Sequence, residues 1–329
     1  MIKKILNDVF DYKKGDKIVI LHDIITKKTS NYFYRIDLAD KWYSEIKKFE
    51  ENVFLIKYKE TGSHNSDFPT HCYQGSKETT FEEVFNETKI VIALTEFSAT
   101  APLVKFSNKY EFKAASMPGF NREMLPAMNI DINEIKKRVG KIYDLLFDAE
   151  SLNIVFDNTE LFVDLKDCFP KKDDGHFIKT KVINLPTGEA FIVPKEGIES
   201  KTKGFLPILG NLYKISSNQI VSCNKENDEL MEKIKLDPMV GNIAEIGLGV
   251  LGSFGIKPVG EVLLDEKVGL HIALGRSEHL GGHVSPKEFL DSKNVWHQDY
   301  VFLKGIKEII VNKGNKKTVL MKENQYTIF

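Results

Sequence analysis

Two glutamates, two histidines and an aspartate in the second half of this chain are residue types that hold divalent ions, and each sits where a lone charge is costly. Glu189 follows Leu185-Pro186-Thr187-Gly188 and precedes Ala190-Phe191-Ile192-Val193. Glu245 interrupts the apolar run Ile243-Ala244-Glu245-Ile246-Gly247. His271 lies between Leu270 and Ile272, and Trp296-His297-Gln298-Asp299 leads into Tyr300-Val301-Phe302-Leu303. A buried carboxylate needs a counter-charge. A metal ion is the most compact one available.

His297 and Asp299 are two residues apart, so on a strand both side chains leave one face and can share an ion. Each residue alone has a plainer reading. The His-x-Asp pair can be a hydrogen-bonded surface turn, and His271 a satisfied core histidine. Glu245 can be an edge residue facing solvent, and Glu189 an exposed turn acid. Taken together, the oxygen and nitrogen donors suit Zn²⁺, Co²⁺, Mn²⁺ or Fe²⁺ and do not favour Cu(I). Five residues exceed what one catalytic ion usually takes from protein, and with a bridging carboxylate they serve two. Cys72, Cys168 and Cys223 are odd in number and form no Cys-x-x-Cys pair, so a thiolate site or disulfide framework is not expected.

These residues need elements to position them. Residues 1–149 read as an α/β domain with a parallel, doubly wound sheet. Apolar runs at 17–21, 53–58 and 89–94 read as strands, and the spacing predicts helices at 35–49, 99–109 and 130–147. Residues 150–329 read as a mainly antiparallel β domain carrying the site. A hairpin is expected across Asp157-Asn158-Thr159. Short β-rich runs follow at 179–184, 190–193, 211–222, 243–246, 261–264, 270–274, 300–303 and 307–311, with one helix near 226–235. Gly247-Leu248-Gly249-Val250-Leu251-Gly252 matches Gly-x-Gly-x-x-Gly. However, Ser253-Phe254-Gly255-Ile256-Lys257-Pro258 cannot supply the helix that a dinucleotide site requires. The glycines instead let backbone pass close to the site.

Composition excludes other classes. The 329 residues are 42% hydrophobic and 28% charged, as in a globular protein with a sizeable core. A net charge of −1 argues against a nucleic-acid partner. No run approaches the roughly 18 apolar residues of a membrane span, and the first residues lack the apolar stretch of a signal peptide. The expectation is a cytoplasmic protein with no membrane partner.

The chain resembles the M29 metallo-aminopeptidases. The resemblance rests on Leu185 to Glu189, Asn242 to Gly249, Asp265-Glu266-Lys267 through Gly275, and His297-Gln298-Asp299. Ala115-Ser116-Met117-Pro118-Gly119 and the segment from Thr95 to Thr100 also match. It implies a peptide hydrolase, a homodimer, and two divalent ions (Zn, Co or Mn) held by Glu189, Glu245, His271, His297 and Asp299. Glu189 and Glu245 are then the candidates for bridging ligand and general base. The family also uses a tyrosine seven residues after the first histidine. That position is Glu278 here, in Arg276-Ser277-Glu278-His279, so Glu278, His279 or His283 stand as replacements, against a plain reading as exposed loop residues. The chain is also shorter than typical members, which bears on peptide specificity. A distant relative of similar layout is a ring-cleaving dioxygenase for dihydroxypyridines, with one Fe²⁺ held by two histidines and an aspartate. An iron oxygenase and a non-catalytic binding or maturation protein are thus the alternatives.

Overall fold

The computed structural model describes residues 1–177 and 181–329. By its internal contacts the chain forms two compact units. The first comprises Met1–Glu134, Asp173–Thr187 and Val259–Leu264; the second comprises Ile135–Lys172, Gly188–Pro258 and Asp265–Phe329.

The first unit is built on a seven-stranded sheet. In spatial order its strands are Val182–Asn184, Lys113–Ser116, Thr88–Leu94, Lys17–Ile24, Val53–Lys59, His71–Gln74 and Lys77–Thr80. The first five pair in parallel. Ile18 to Leu21 and Ile90 to Leu94 are almost fully buried, as expected of central parallel strands covered on both faces. The Ser30–Lys47 helix begins where the Thr29 hydroxyl accepts the Tyr32 N–H, and it buries Leu38, Ala39, Trp42 and Ile46. Phe81, Phe85 and Phe112 pack into the core with Phe68 and Phe106.

Three features of this unit differ from the sequence reading. The sheet is mixed, because the antiparallel hairpin His71–Gln74 with Lys77–Thr80 extends one edge. Val182–Asn184, read from sequence as part of an antiparallel run at 179–184, pairs in parallel with Lys113–Ser116. Residues 179 and 180 of that run lie outside the described residues. The expected strand at 261–264 is instead the one-turn helix Val262–Asp265. Its apolar run is too short for periodicity to separate the two states.

The second unit holds two sheets. One has eight antiparallel strands in the order Gln219–Cys223, Asn211–Ser216, Lys203–Ile208, Glu160–Asp164, Ser151–Phe156, Ile306–Lys313, Lys316–Lys322 and Gln325–Tyr326. The expected hairpin joins Ser151–Phe156 to Glu160–Asp164. The other sheet is the one that matters for chemistry. Its order is His297–Phe302, Leu270–Gly275, Ile243–Gly249, Glu189–Ile192 and Lys171–Asp173. Every residue of Ile243–Gly249 and Leu270–Gly275 is buried. The Glu229–Leu236 helix, capped by Asp228, matches the one expected near 226–235. No described helix is long and apolar enough to cross a membrane.

Candidate metal centre

Four adjacent antiparallel strands carry all five candidate residues. Glu245 pairs with Ala273, which pairs with Asp299; Gly247 pairs with His271; Gly275 pairs with His297; and Glu189 pairs with Gly249. Side chains alternate between faces along a strand. This register therefore sets Glu189, Glu245, His271, His297 and Asp299 on one face, among Gly247, Gly249, Ala273 and Gly275. The small residues make room. A methyl on Gly247 would fall inside the His271 ring, and one on Gly249 would strike the Lys267 backbone. The Gly-x-Gly-x-x-Gly run ends in a four-residue 3₁₀ turn, Leu251–Phe254, and its glycines serve close packing.

The side chains converge as two groups that share one residue. His271 Nε2 lies 3.5 Å from Glu245 Oε1 and 3.6 Å from Glu189 Oε2. His297 Nε2 lies 3.8 Å from Glu245 Oε2 and 3.7 Å from Asp299 Oδ1. Within each group, Glu189, Glu245 and His271 or Glu245, His297 and Asp299, the potential ligand atoms are all within 4.8 Å of one another. Glu245 thus turns one oxygen to each group.

Both histidines are set for ligation. His271 Nδ1 is 3.0 Å from the Glu266 carbonyl, and His297 Nδ1 is 2.7 Å from the Arg276 carbonyl. A carbonyl accepts only from a protonated Nδ1, so Nε2 is the nitrogen that would give up its proton and present a lone pair toward the carboxylates when an ion binds.

Two residues at the site carried no role in the sequence reading. Lys267 is 1% exposed, and its ammonium pairs with Glu189 Oε1 and, at 2.8 Å, with Glu266 Oε1. Glu189 Oε2 is buried without a hydrogen-bond partner. An orphaned carboxylate oxygen beside the His271 imidazole, with Glu245 converging on the same point, is what a divalent ion would complete, so the residues present fit a metal. The sequence signal for Lys267 is faint, since a lone lysine is nearly always exposed.

Electrostatics agree with a site built for positive charge. Burial pushes the Glu189 carboxyl up to about 8, against the opposing pull of Lys267 and His271. Burial also raises Glu266. Burial alone would lower His271, but its hydrogen bond to Glu245 and the charges of Glu189 and Glu245 raise it to about 10. His297 is likewise raised to about 9, with Asp299 and Glu245 overcoming burial. Burial works against the charged form of Asp299, yet His297 holds it at about 2.

The three loop candidates supply no ligand atom to either group, though His279 packs against one of them. Arg276 grips both oxygens of Glu278 and holds its carboxyl below the usual range. His279 lies edge-on to His297, ring centroids 4.8 Å apart. His283 is exposed and donates its backbone N–H to Glu196. None of the three belongs to a convergent group of ligand atoms among the described residues.

No family model and no curated protein matches this chain. Solved structures do. It is similar over 99% of its length to wild-type AmpT from Thermus thermophilus, an M29 aminopeptidase, with a TM-score of 0.63, 14% identity and 98% of that chain covered. It is similar over 100% of its length to 2,5-dihydroxypyridine dioxygenase from Pseudomonas putida KT2440, with a TM-score of 0.65, 13% identity and 97% of that chain covered. The chain has the fold of these two proteins. At such identities the likeness is one of fold alone.

Proposed function

We propose that this chain is a dinuclear metal-dependent aminopeptidase that releases N-terminal residues from peptides. One observation carries the reading: Glu245 directs its two oxygens to two different histidines, each backed by a further carboxylate. A carboxylate so shared suits two neighbouring ions better than one.

In this reading Glu245 would be the ligand common to both ions, with His297 and Asp299 holding one and His271 the other. The bound ions would polarise the scissile carbonyl and lower the pKa of a water. Glu189, whose unpartnered Oε2 faces His271, would be a ligand on that side or the proton acceptor. Glu266 and Arg276 act through their backbone carbonyls, which fix both imidazoles.

The test is a comparison of two reactions on protein reconstituted with Zn²⁺, Co²⁺, Mn²⁺ or Fe²⁺. Hydrolysis of aminoacyl amides and short unblocked peptides, with no action on N-acetylated ones, is expected. Oxygen uptake with a dihydroxypyridine and no peptide cleavage would replace this reading with a mononuclear iron oxygenase. Metal retention with neither activity would point to a binding protein.

A further inference from the structure

The outermost strand of the five-stranded sheet, His297–Phe302, pairs with Leu270–Gly275 along one side and with no described strand along the other. All six of its residues are half-buried. The register settles which backbone groups look outward. Gly275 pairs with His297, and the Arg276 N–H donates to the Trp296 carbonyl at 2.8 Å. In an antiparallel ladder, a bond displaced one residue along each strand marks Gly275 and His297 as a non-hydrogen-bonded pair. By alternation, Gln298, Tyr300 and Phe302 turn their N–H and C=O groups toward Leu270–Gly275, and Asp299 and Val301 turn theirs to the open edge. The Gln298 side-chain amide donates to the Asp299 carbonyl at 3.1 Å, as an outward carbonyl allows. Among the described residues no group pairs with the N–H or C=O of Val301.

A groove of about 760 Å³ runs along this edge. Its lining includes Asp299, Val301 and Leu303, with Ile208 and the exposed Leu209 contributed from the end of the Lys203–Ile208 strand. Trp296 also lines it, and its Nε1 is buried without a hydrogen-bond partner. Asp299 is at the same time a member of the group formed with Glu245 and His297, so the groove leads directly from the candidate metal centre. Free edges are normally blunted, because they pair with any extended chain. An extended peptide is the ligand that answers an outward N–H and C=O together.

We propose that the free edge of His297–Phe302 holds the substrate peptide beyond its first residue, as one more strand of the sheet. The N-terminal residue lies at the metal centre, and the chain runs on past Asp299 toward Leu303, parallel to the strand. Val301 donates its N–H to a substrate carbonyl and accepts a substrate N–H on its own carbonyl, as in a parallel pair. Selection is then for an extended backbone several residues long, with apolar side chains favoured beside Ile208, Leu209 and Leu303. The same edge would suit a second copy of this chain, but the continuity through Asp299 favours the substrate. The inference rests on the aminopeptidase reading above and narrows its substrate class to extended peptides rather than aminoacyl amides.

The experiment measures kcat and KM of the full chain, reconstituted with Zn²⁺ or Co²⁺, on alanine amide and on alanine peptides up to the pentapeptide. From amide to tetrapeptide kcat/KM should rise by at least about 10-fold, at about 5-fold for each backbone hydrogen bond. Methylating single amide nitrogens beyond the scissile bond should raise KM about 5-fold at one position and leave kcat unchanged. Val301→Pro removes an outward N–H that the ladder does not use. It should shrink the advantage of the tetrapeptide over the amide by about 5-fold. A readout free of turnover and of any variant is amide exchange at Val301, which should slow when a tetrapeptide with a reduced, uncleavable first bond is added. Equal kcat/KM for amide and peptides, with no effect of N-methylation, would overturn the edge and leave the aminopeptidase reading standing. A Val301 amide already protected in a dimer and unmoved by the peptide would assign the edge to a second copy and overturn the proposal. No cleavage of these substrates, or of unblocked peptides with other first residues, would overturn both readings.

Discussion

Gly247 and His271 face each other across two neighbouring strands, and the imidazole occupies the space a side chain at Gly247 would fill. The ring reaches Glu189 and Glu245 through space that a side chain at position 247 would take. Gly247→Ala is expected to displace His271, cost roughly 1–3 kcal/mol of stability, and weaken metal binding on the His271 side first. Chemical denaturation and bound metal per chain, measured on the same preparation, check both effects.

Glu245 and Asp299 should differ in their metal phenotypes. Glu245 belongs to both groups and Asp299 to one. Glu245→Gln is expected to abolish retention of both ions through gel filtration. Asp299→Asn should lose the ion held with His297 and leave residual binding near His271. Elemental analysis after desalting separates these outcomes, and equal loss in both variants would contradict the shared role of Glu245.

Proton linkage gives a third expectation. His271 and His297 are raised to about 10 and about 9, and Glu189 to about 8. A group raised on folding contributes stability below its ordinary value and loses it as pH climbs through the folded one. Metal-stripped protein should therefore lose stability between pH 6 and pH 10, by at least roughly 2 kcal/mol. Asp299, held at about 2, works oppositely and removes stability only as pH falls below about 4. Ions bind the deprotonated ligands, so the stabilisation gained on adding Zn²⁺ should grow over the same rising range. Denaturation midpoints across pH, with chelator and with metal, test the sign.

The loop carrying Glu278 is expected to be neutral toward metal. Its carboxyl is committed to Arg276, and both side chains are about one-third exposed, 31% and 35%. Glu278→Ala should leave the ion count unchanged and shift stability by less than about 1 kcal/mol. A fall in bound metal would return Glu278 to the ligand set in place of the family tyrosine.

The convergent residues were legible in the sequence because each broke an apolar or glycine-rich run, where a charge must be answered. Their pairing was not legible, because it depends on the register between strands far apart in the chain. Glu189 and His271 are 82 residues apart in number and meet only through Gly249 and Gly247. Lys267 stands in a stretch that carries the resemblance, but a lysine in a short connecting segment has no pattern of burial that would give it a role at the site. The parallel strands at 17–24 and 88–94 announced themselves as apolar runs. The polar hairpin at 71–80 and the return of Val182–Asn184 to the parallel sheet did not. The first lacks an apolar signal, and the second is a long-range pairing that no local window contains.

The most direct test of the account is anomalous diffraction from crystals of the chain loaded with Zn²⁺ and measured at the zinc edge. Scattering is expected on the sheet face between Glu245 and its two histidines. Anomalous peaks elsewhere in the molecule, with none at Glu245, would contradict it.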